Sequence, residues 1–139
     1  DQIIWTDAAT HQFVEEAGTM NLMFVVNGSL VTAPTGDTIL DGVTRKSVIQ
    51  LAEDLGIECE VRRISVKEIK DSARDGSLKE IFGAGTAAVI SPVSAFGHGD
   101  EVFEIPENQD SYSKLFKSTL LSIQHNKIDD KHGWRHEVK

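Results

Sequence analysis

The sequence predicts an α/β domain, because two hydrophobic periods follow one another along its 139 residues. Short apolar segments with strand character fill the first third of the chain, whereas helical spacing begins at Thr44. The chain is 40% apolar, and a domain of this length buries roughly two thirds of the surface that its unfolded chain exposes. The sequence contains no repeats, low-complexity segments or linker, so one domain with its own core is expected.

The first third has the pattern of a β meander. Strands are predicted at residues 3–5, 12–16 and 21–26. Asn27-Gly28 is a strong signal for a two-residue hairpin turn, since both residue types readily adopt positive φ angles. A strand at residues 30–32 should therefore follow it.

Three helices are predicted further along the chain. The first has an apolar face formed by Val48, Leu51, Ala52 and Leu55. Gly56 stands where a glycine ends a helix, and residues 65–68 (Ser-Val-Lys-Glu) form a capping box that opens a second helix, which ends by Gly76. The third has an apolar face formed by Tyr112, Leu115, Phe116, Thr119, Leu120 and Ile123.

Strands are also predicted between and after the first two helices. Residues 57–63 alternate in polarity, and residues 86–93 have the composition of a buried strand. Residues 97–100 (Gly-His-Gly-Asp) predict a turn into a strand at residues 102–105.

Charge and composition exclude several classes of protein and site. Fourteen basic and twenty-two acidic residues give a formal net charge of −8, and the basic ones are dispersed, so no nucleic-acid partner is expected. Cys59, the one cysteine, has no partner for a disulfide or a metal site. His132 and His136 have the spacing of a zinc pair, but Gly133 replaces the acid of that motif, so no metal is expected.

The sequence also predicts a cytoplasmic protein with no membrane partner. No apolar run approaches the ~20 residues of a membrane span, and the N-terminus lacks the pattern of a signal peptide. The chain opens with Asp-Gln-Ile-Ile-Trp and no methionine, which indicates a segment cut from a longer protein.

Three short segments do not fit the pattern of a plain core. In the first, FVEEAGTMNLMFVV (residues 13–26), Glu15 and Glu16 would point to opposite faces of a strand. One of the two carboxylates would then point inward and need a cationic or hydrogen-bonding partner. Alternatively, the strand frays at this point and both acids are solvated.

The other two segments have the composition of anion-binding turns. Residues 40–45 place Gly42 at the entry of the first helix, where free N–H groups favour an anion, although Asp41 or Thr44 could equally cap the helix. Residues 82–88 (FGAGTAA) form a small-residue turn that offers N–H groups and the Thr86 hydroxyl. Turns of this composition are also common as purely structural features.

In their order and spacing, these segments resemble one family signature. Glu16-x-Gly18-x-x-Asn21, then Leu30-x-Thr32, then Leu40-x-Gly42-Val43-Thr44-Arg45 is similar to the signature of the class IV aminotransferases, which are fold type IV pyridoxal-phosphate enzymes. The stretches EEAGTMN, TILDGVTR, FGAGTAAVISPV, SIQHNKID and HGWRHEV resemble the branched-chain amino acid aminotransferases in particular.

The resemblance implies a fold and a domain assignment. Residues 1–139 would be the C-terminal, cofactor-binding domain of such an enzyme, a mixed β-sheet pseudo-barrel with packed helices. The N-terminal domain and the Schiff-base lysine would lie upstream of Asp1, so no catalytic residue is assigned within the chain. The chain by itself is therefore expected to be inactive.

The resemblance also implies roles for individual residues. Glu16 would face the pyridine nitrogen of pyridoxal 5′-phosphate and keep it protonated. Asp41 stands where the family often has proline, and an acid near the phosphate would be unfavourable unless it turns outward to cap the helix. The cofactor phosphate would be held by Gly42, Val43, Thr44, Gly85 and Thr86. The amino-acid substrate would contact Thr19, Met20 and Ala87.

The implied function is transamination of leucine, isoleucine or valine with 2-oxoglutarate by the full-length enzyme, a homodimer of branched-chain amino acid biosynthesis. A different interpretation is an inert domain that retains only cofactor binding or an interaction surface. Within the family, a D-amino-acid aminotransferase or an aminodeoxychorismate lyase is the alternative.

Overall fold

Strands and helices alternate through residues 2–138, the part of the chain that the computed structural model describes. The strands of the first half are β1 (Ile4–Thr6), β2 (Phe13–Ala17), β3 (Met20–Val26), β4 (Ser29–Thr32), β5 (Cys59–Val61) and β6 (Ile64–Ser65). Those of the second half are β7 (Leu78–Gly85), β8 (Val89–Pro92), β9 (Ala95–His98) and β10 (Glu101–Glu104). The helices are α1 (Val43–Asp54), α2 (Val66–Asp75) and α3 (Tyr112–Gln124).

Strand β3 lies at the centre of an eight-stranded sheet in which β1 to β5 are neighbours in sequence order. β7 runs antiparallel to β3 along nearly its whole length, from Asn21 opposite Ala84 to Val26 opposite Leu78. β5 is parallel to β4, because helix α1 makes the crossover between them. β9 and β10 form a separate hairpin. The predicted α/β fold, with a mixed sheet and packed helices, is confirmed.

Both faces of β3 are buried, which explains its continuous apolar sequence. Met23 and Val25 pack with α1 and α3, whereas Leu22, Phe24 and Val26 pack with α2 and strands β6 and β7. At the end of β3, Asn27 and Gly28 have φ angles of 52° and 86°, as the predicted hairpin turn requires. The central strand is therefore held on both faces and along both edges.

Helix α1 differs from the prediction at both ends. It begins after Gly42, which has no side chain to cap it, so neither Asp41 nor Thr44 is the N-cap. It ends at Asp54, and Leu55 is 48% exposed instead of completing the buried face. The chain turns away there through Gly56, whose φ of 68° confirms the predicted glycine stop.

Several strand boundaries after helix α1 also differ from the prediction. The strand predicted at residues 86–93 is reduced to β8 (Val89–Pro92), because β7 ends at Gly85 and residues 86–88 form the turn between the two strands. The predicted turn at residues 82–88 is reduced to residues 86–88. Gly83 and Gly85 lie inside β7. Glycine is needed at these two strand positions, because Met20 occupies the space that larger side chains would fill. The predicted strand at residues 57–63 is likewise reduced to β5, with β6 following separately, while β9 extends into the predicted turn at residues 97–100.

The second helix begins and ends as predicted. The Ser65 hydroxyl accepts the N–H of Glu68 at 3.0 Å, and Gly76 stops the helix with φ 80°. The reciprocal half of the capping box is missing, because the Glu68 carboxylate accepts hydrogen bonds from Arg62. In the third helix Leu115 is 39% exposed, so the buried face is narrower than predicted.

Strand β7 carries a buried carboxylate that caps helix α3. Glu80 accepts the N–H of Tyr112 at 2.7 Å, the N–H of Ser113 at 3.0 Å and the Ser113 hydroxyl at 2.8 Å. The Ser111 hydroxyl accepts the N–H of Lys114 at 3.3 Å. An acid at this position satisfies free N–H groups and interacts favourably with the positive end of the helix. Glu80 therefore anchors α3 to the central sheet.

Replacing Glu80 with alanine should lower the free energy of unfolding by about 2–4 kcal/mol, because buried donors lose their acceptor. Chemical denaturation measures this loss. The matched control is Lys79→Ala on the exposed face of the same strand, which should change the free energy by less than about 0.5 kcal/mol. A Glu80→Ala loss no larger than that of the control would contradict the capping role.

Candidate functional site

The buried side chain of Asn21 brings the three segments singled out from the sequence to one end of the sheet. Its backbone lies opposite Glu16 of β2 and opposite Ala84 of β7. Its side-chain amide donates to the carbonyl of Leu40 at 2.9 Å, which ties the loop before α1 to the same point. The candidate site is therefore assembled from the β2–β3 turn, the entry of α1 and the end of β7.

Glu16 is a half-buried acid whose carboxylate is held by two donors. Its Oε2 accepts the side-chain amide of Asn21 and the backbone N–H of Leu40, both at 3.2 Å. Glu15 lies on the other face of the strand, and its Oε1 accepts the Thr38 hydroxyl at 2.8 Å. The strand continues to Ala17, so these acids do not lie at a frayed strand end.

The entry of α1 presents N–H groups that no side chain caps. The first turn of the helix contains no acid, and Asp41 is exposed and paired with Lys46, whose Nζ lies 3.0 Å from its Oδ2. Asp41 thus turns outward, but it pairs with Lys46 instead of capping the helix. A Cβ atom at Gly42 would lie 2.2 Å from Oδ1 of Asn21, so only glycine fits this close approach. Such an entry is suited to bind an anion through the backbone.

The β2–β3 turn packs directly against the end of β7. A Cβ atom added at Gly83 would lie 2.6 Å from Sδ of Met20. One added at Gly85 would lie 2.9 Å from the carbonyl oxygen of Thr19. The two glycines thus allow the turn and the strand to touch. Their close packing places Thr19 and Met20 beside the segment that leads to residues 86–88.

The β7–β8 connection leaves its small residues open to solvent. Thr86, Ala87 and Ala88 are exposed, and Gly85 pairs with Val89 across the turn. Val89 has a φ of 59°, a left-handed conformation that a β-branched residue rarely adopts. The turn is therefore held in a strained backbone geometry at the candidate site.

Two residues of the family signature have structural roles in the site that were not assigned from the sequence. Asn21 is the one polar residue of the buried strand β3, and this interruption of an apolar run is a signal for it. Arg45 is 5% exposed and donates from Nη2 to the carbonyl of Ala33 at 2.9 Å. Its signal is a basic residue three positions before Val48, on the apolar face of the helix.

His132, one of the two histidines with the spacing of a zinc pair, contacts protein groups. Nε2 of His132 lies 2.7 Å from Oδ2 of Asp54, and the His132 ring stacks on Trp134 with centroids 4.8 Å apart. The hydrogen bond from His132 lowers the pKa of Asp54. Among residues 2–138, no group of three or more His, Cys, Asp or Glu side chains is placed to hold a metal ion. None of the helices in this range is long and apolar enough to cross a membrane.

Comparison with known proteins shows similarity along the whole chain. The family model for amino-transferase class IV matches residues 1–96. A probable branched-chain-amino-acid aminotransferase of Staphylococcus epidermidis is 48% identical over 140 residues, which cover 99% of this chain and 39% of that protein. The chain thus spans about two fifths of the length of the curated relatives that it matches.

Solved structures show the same similarity at the level of the fold. The crystal structure of Escherichia coli branched-chain amino acid aminotransferase matches with a TM-score of 0.77 and 28% identity, over 96% of this chain and 40% of the other. The T.th. branched-chain amino acid aminotransferase, complexed with N-(5′-phosphopyridoxyl)-L-glutamate, matches with a TM-score of 0.77 and 26% identity, over 96% of this chain and 41% of the other.

Replacing Gly42 with alanine should destabilise the protein by about 1–3 kcal/mol, because the new methyl group must displace the Asn21 amide. Chemical denaturation measures the loss, and the double variant Gly42→Ala/Asn21→Ala should lose less stability than the sum of the two single variants, because the clash is then relieved. Gly36→Ala is the matched control, since a Cβ atom there meets nothing within 4 Å. Equal effects of Gly36→Ala and Gly42→Ala would contradict the close packing.

Proposed function

The chain belongs to the class IV aminotransferase family, and we propose on this basis that it is the C-terminal, cofactor-binding domain of a branched-chain amino acid aminotransferase. The full-length protein would transfer the amino group between leucine, isoleucine or valine and 2-oxoglutarate. The observation that carries the proposal is the convergence at Asn21 of a held carboxylate, an uncapped helix entry and a turn of small residues.

The residues of the site fit pyridoxal 5′-phosphate. A phosphate ester needs backbone donors without a competing acid, and the first turn of α1 offers them behind Gly42. A pyridine nitrogen needs an oriented carboxylate, and Glu16 is oriented by two hydrogen bonds. The phosphopyridoxyl-glutamate bound by the T.th. relative is consistent with this cofactor and with a glutamate co-substrate.

Glu16 would hold a proton on the ring nitrogen of the cofactor. Both hydrogen bonds from Asn21 and Leu40 go to Oε2, so Oε1 would be available to accept a pyridinium N–H. When bound, the cofactor supplies an electron-withdrawing ring that stabilises negative charge at the substrate α-carbon. The task of this chain is then to keep the ring nitrogen charged by a fixed carboxylate.

Two segments would hold the cofactor phosphate. At the entry of α1, the backbone N–H groups of Val43 and Thr44 and the Thr44 hydroxyl would donate to its oxygens. The N–H of Gly42 donates to the carbonyl of Leu40 at 2.9 Å, so Gly42 would contribute by allowing the close approach of the phosphate. At the end of β7, the Thr86 hydroxyl would donate from the other side, while Gly85 allows the close approach. The exposure of Thr86 and the absence of a capping side chain on α1 support this assignment.

The amino-acid substrate would lie against the β2–β3 turn. The Thr19 hydroxyl and the N–H of Ala87 would donate to its carboxylate, and Met20 would form part of an apolar wall for the branched side chain. Met20 packs on Gly83 and Gly85, which fixes this wall relative to the phosphate segment. The packing of the turn on β7 supports a shared substrate and cofactor site.

The proposal extends to the parts of the enzyme beyond this chain. The N-terminal domain of the full-length protein would carry the catalytic lysine and close the site, and two copies would form a homodimer. We place the enzyme in the cytoplasm, in branched-chain amino acid biosynthesis. The identity with the Staphylococcus epidermidis relative supports the substrate class.

Pyridoxal phosphate or inorganic phosphate added to the isotope-labelled chain should shift the amide resonances of residues 42–44 and 85–87 along one saturation curve. An affinity near millimolar, roughly −4 kcal/mol, is expected for the chain by itself. Thr44→Ala and Thr86→Ala should each weaken binding, whereas Thr119→Ala on α3 should not. A response from one segment only would contradict a shared phosphate site.

Replacing Glu16 with glutamine in the full-length enzyme should slow the half-reaction with leucine by about 10²-fold, because the charge that holds the pyridinium proton is lost. Single-turnover absorbance measurements report this rate. Glu15→Gln is the matched control, since Glu15 lies on the opposite face of β2 and binds Thr38. If the control lost activity and Glu16→Gln did not, Glu15 and not Glu16 would be the residue that faces the pyridine nitrogen.

A further inference from the structure

Arg45 is a buried cation in the first turn of α1. The residue is 5% exposed, and one hydrogen bond, from Nη2 to the carbonyl of Ala33, satisfies only one of its five donors. Its Nε is buried and has no acceptor among residues 2–138. Polar groups that are this deeply buried normally have partners, so the incomplete set around Arg45 requires an explanation.

The other four arginines are more exposed than Arg45, and each has a carboxylate partner. The pairs are Arg62 with Glu60 and Glu68, Arg63 with Asp7, Arg74 with Asp71 and Glu101, and Arg135 with Asp130. Within residues 2–138 no carboxylate lies within salt-bridge distance of Arg45, and the adjacent Asp41 is exposed and paired with Lys46. The most buried arginine is thus the one that lacks a counter-ion in this range.

An unpaired guanidinium is unfavourable at this position for two reasons. Burial disfavours the charged form and lowers the pKa of Arg45, although a guanidinium remains charged at neutral pH. The N-terminal end of α1 adds a partial positive charge of the same sign in the same turn. Both positive contributions lie in the first turn of α1, where the exposed Asp41, which is beyond salt-bridge distance of Arg45, offsets them in part.

We propose that Arg45 is a positioning residue whose buried charge attracts and holds a doubly charged phosphate ester at the entry of α1. The inference rests on the proposed function, because it takes the phosphate segment of Gly42 to Thr44 as the site of the anion. Arg45 acts through the field around the helix entry and through its bond to Ala33, which fixes the first turn of α1 against the end of β4. The bound anion would provide the counter-charge that no carboxylate within residues 2–138 provides at salt-bridge distance.

A purely structural role of Arg45 and a role as a source of positive charge predict different results for the same variants. If Arg45 only anchored α1 to Ala33, Arg45→Met would destabilise the protein equally with and without an anion. If it supplies charge, Arg45→Met also removes the cost of a buried unpaired cation, which offsets the lost bond to Ala33, so the anion-free protein should lose less stability than the phosphate-bound protein. The stabilisation by phosphate should then shrink.

The test measures the binding of inorganic phosphate and of pyridoxal phosphate to the intact protein at several salt concentrations. Arg45→Met should raise the dissociation constant for phosphate by about tenfold or more at low salt, with a shallower salt dependence. Arg45→Lys keeps the charge and should stay within about threefold of the wild type. Lys117→Met, which removes an exposed positive charge on α3, is the matched control and should change neither quantity.

Arg45→Gln is the second neutral variant, because its side-chain amide keeps a donor for Ala33 if the methionine variant does not fold. Dissociation constants within twofold of the wild type for Arg45→Gln or Arg45→Met would overturn the inference. So would equal weakening by the lysine and glutamine variants, which would indicate a role of shape alone. A wild-type protein that binds neither phosphate nor pyridoxal phosphate would instead overturn the proposed function itself.

Discussion

The side chain of Asn21 is the contact on which the geometry of the candidate site depends. It orients the Glu16 carboxylate, holds the carbonyl of Leu40 and leaves no room for a side chain at Gly42. Since Asn21 also belongs to the central strand, its position is set by the ladder between β3 and β7. A single amide thereby connects the acid, the helix entry and the sheet, and a shift of any one of them would move the others.

The rigidity of the site comes from the burial of the strands that end there. β3 is packed on both faces, and Glu80 attaches α3 to the same sheet, on which α1 and α2 also pack. The groups available for chemistry lie beyond these strands, on a turn, a helix entry and a short connection. Exposed donors on a fixed scaffold are a common arrangement for binding sites, because the loops need no ordering when the ligand arrives.

Local charge in this protein differs from its overall charge. The chain is acidic, but the entry of α1 combines free N–H groups with the buried guanidinium of Arg45, and the nearby Asp41 is neutralised by Lys46. At the other side of Asn21, Glu16 provides a fixed negative group. A ligand with a phosphate at one end and a protonated ring nitrogen at the other would match both, which is the charge distribution of the proposed cofactor.

The sequence by itself determined the features whose cause lies within a few adjacent residues. Asn27-Gly28, Gly56, Gly76 and the Ser65 cap all follow from local backbone preferences, and the signature that runs from Glu16 to Arg45 identified the family. Tertiary structure alone decided the rest. Gly83 and Gly85 are typical of a turn, but they lie in a strand. Their missing side chains leave room for Met20, which packs on them from another part of the chain. Glu80 and Arg45 are of residue types that usually lie on the surface, but both are buried. The sequence did not predict this, because their partners are distant in sequence and no local pattern encodes such contacts.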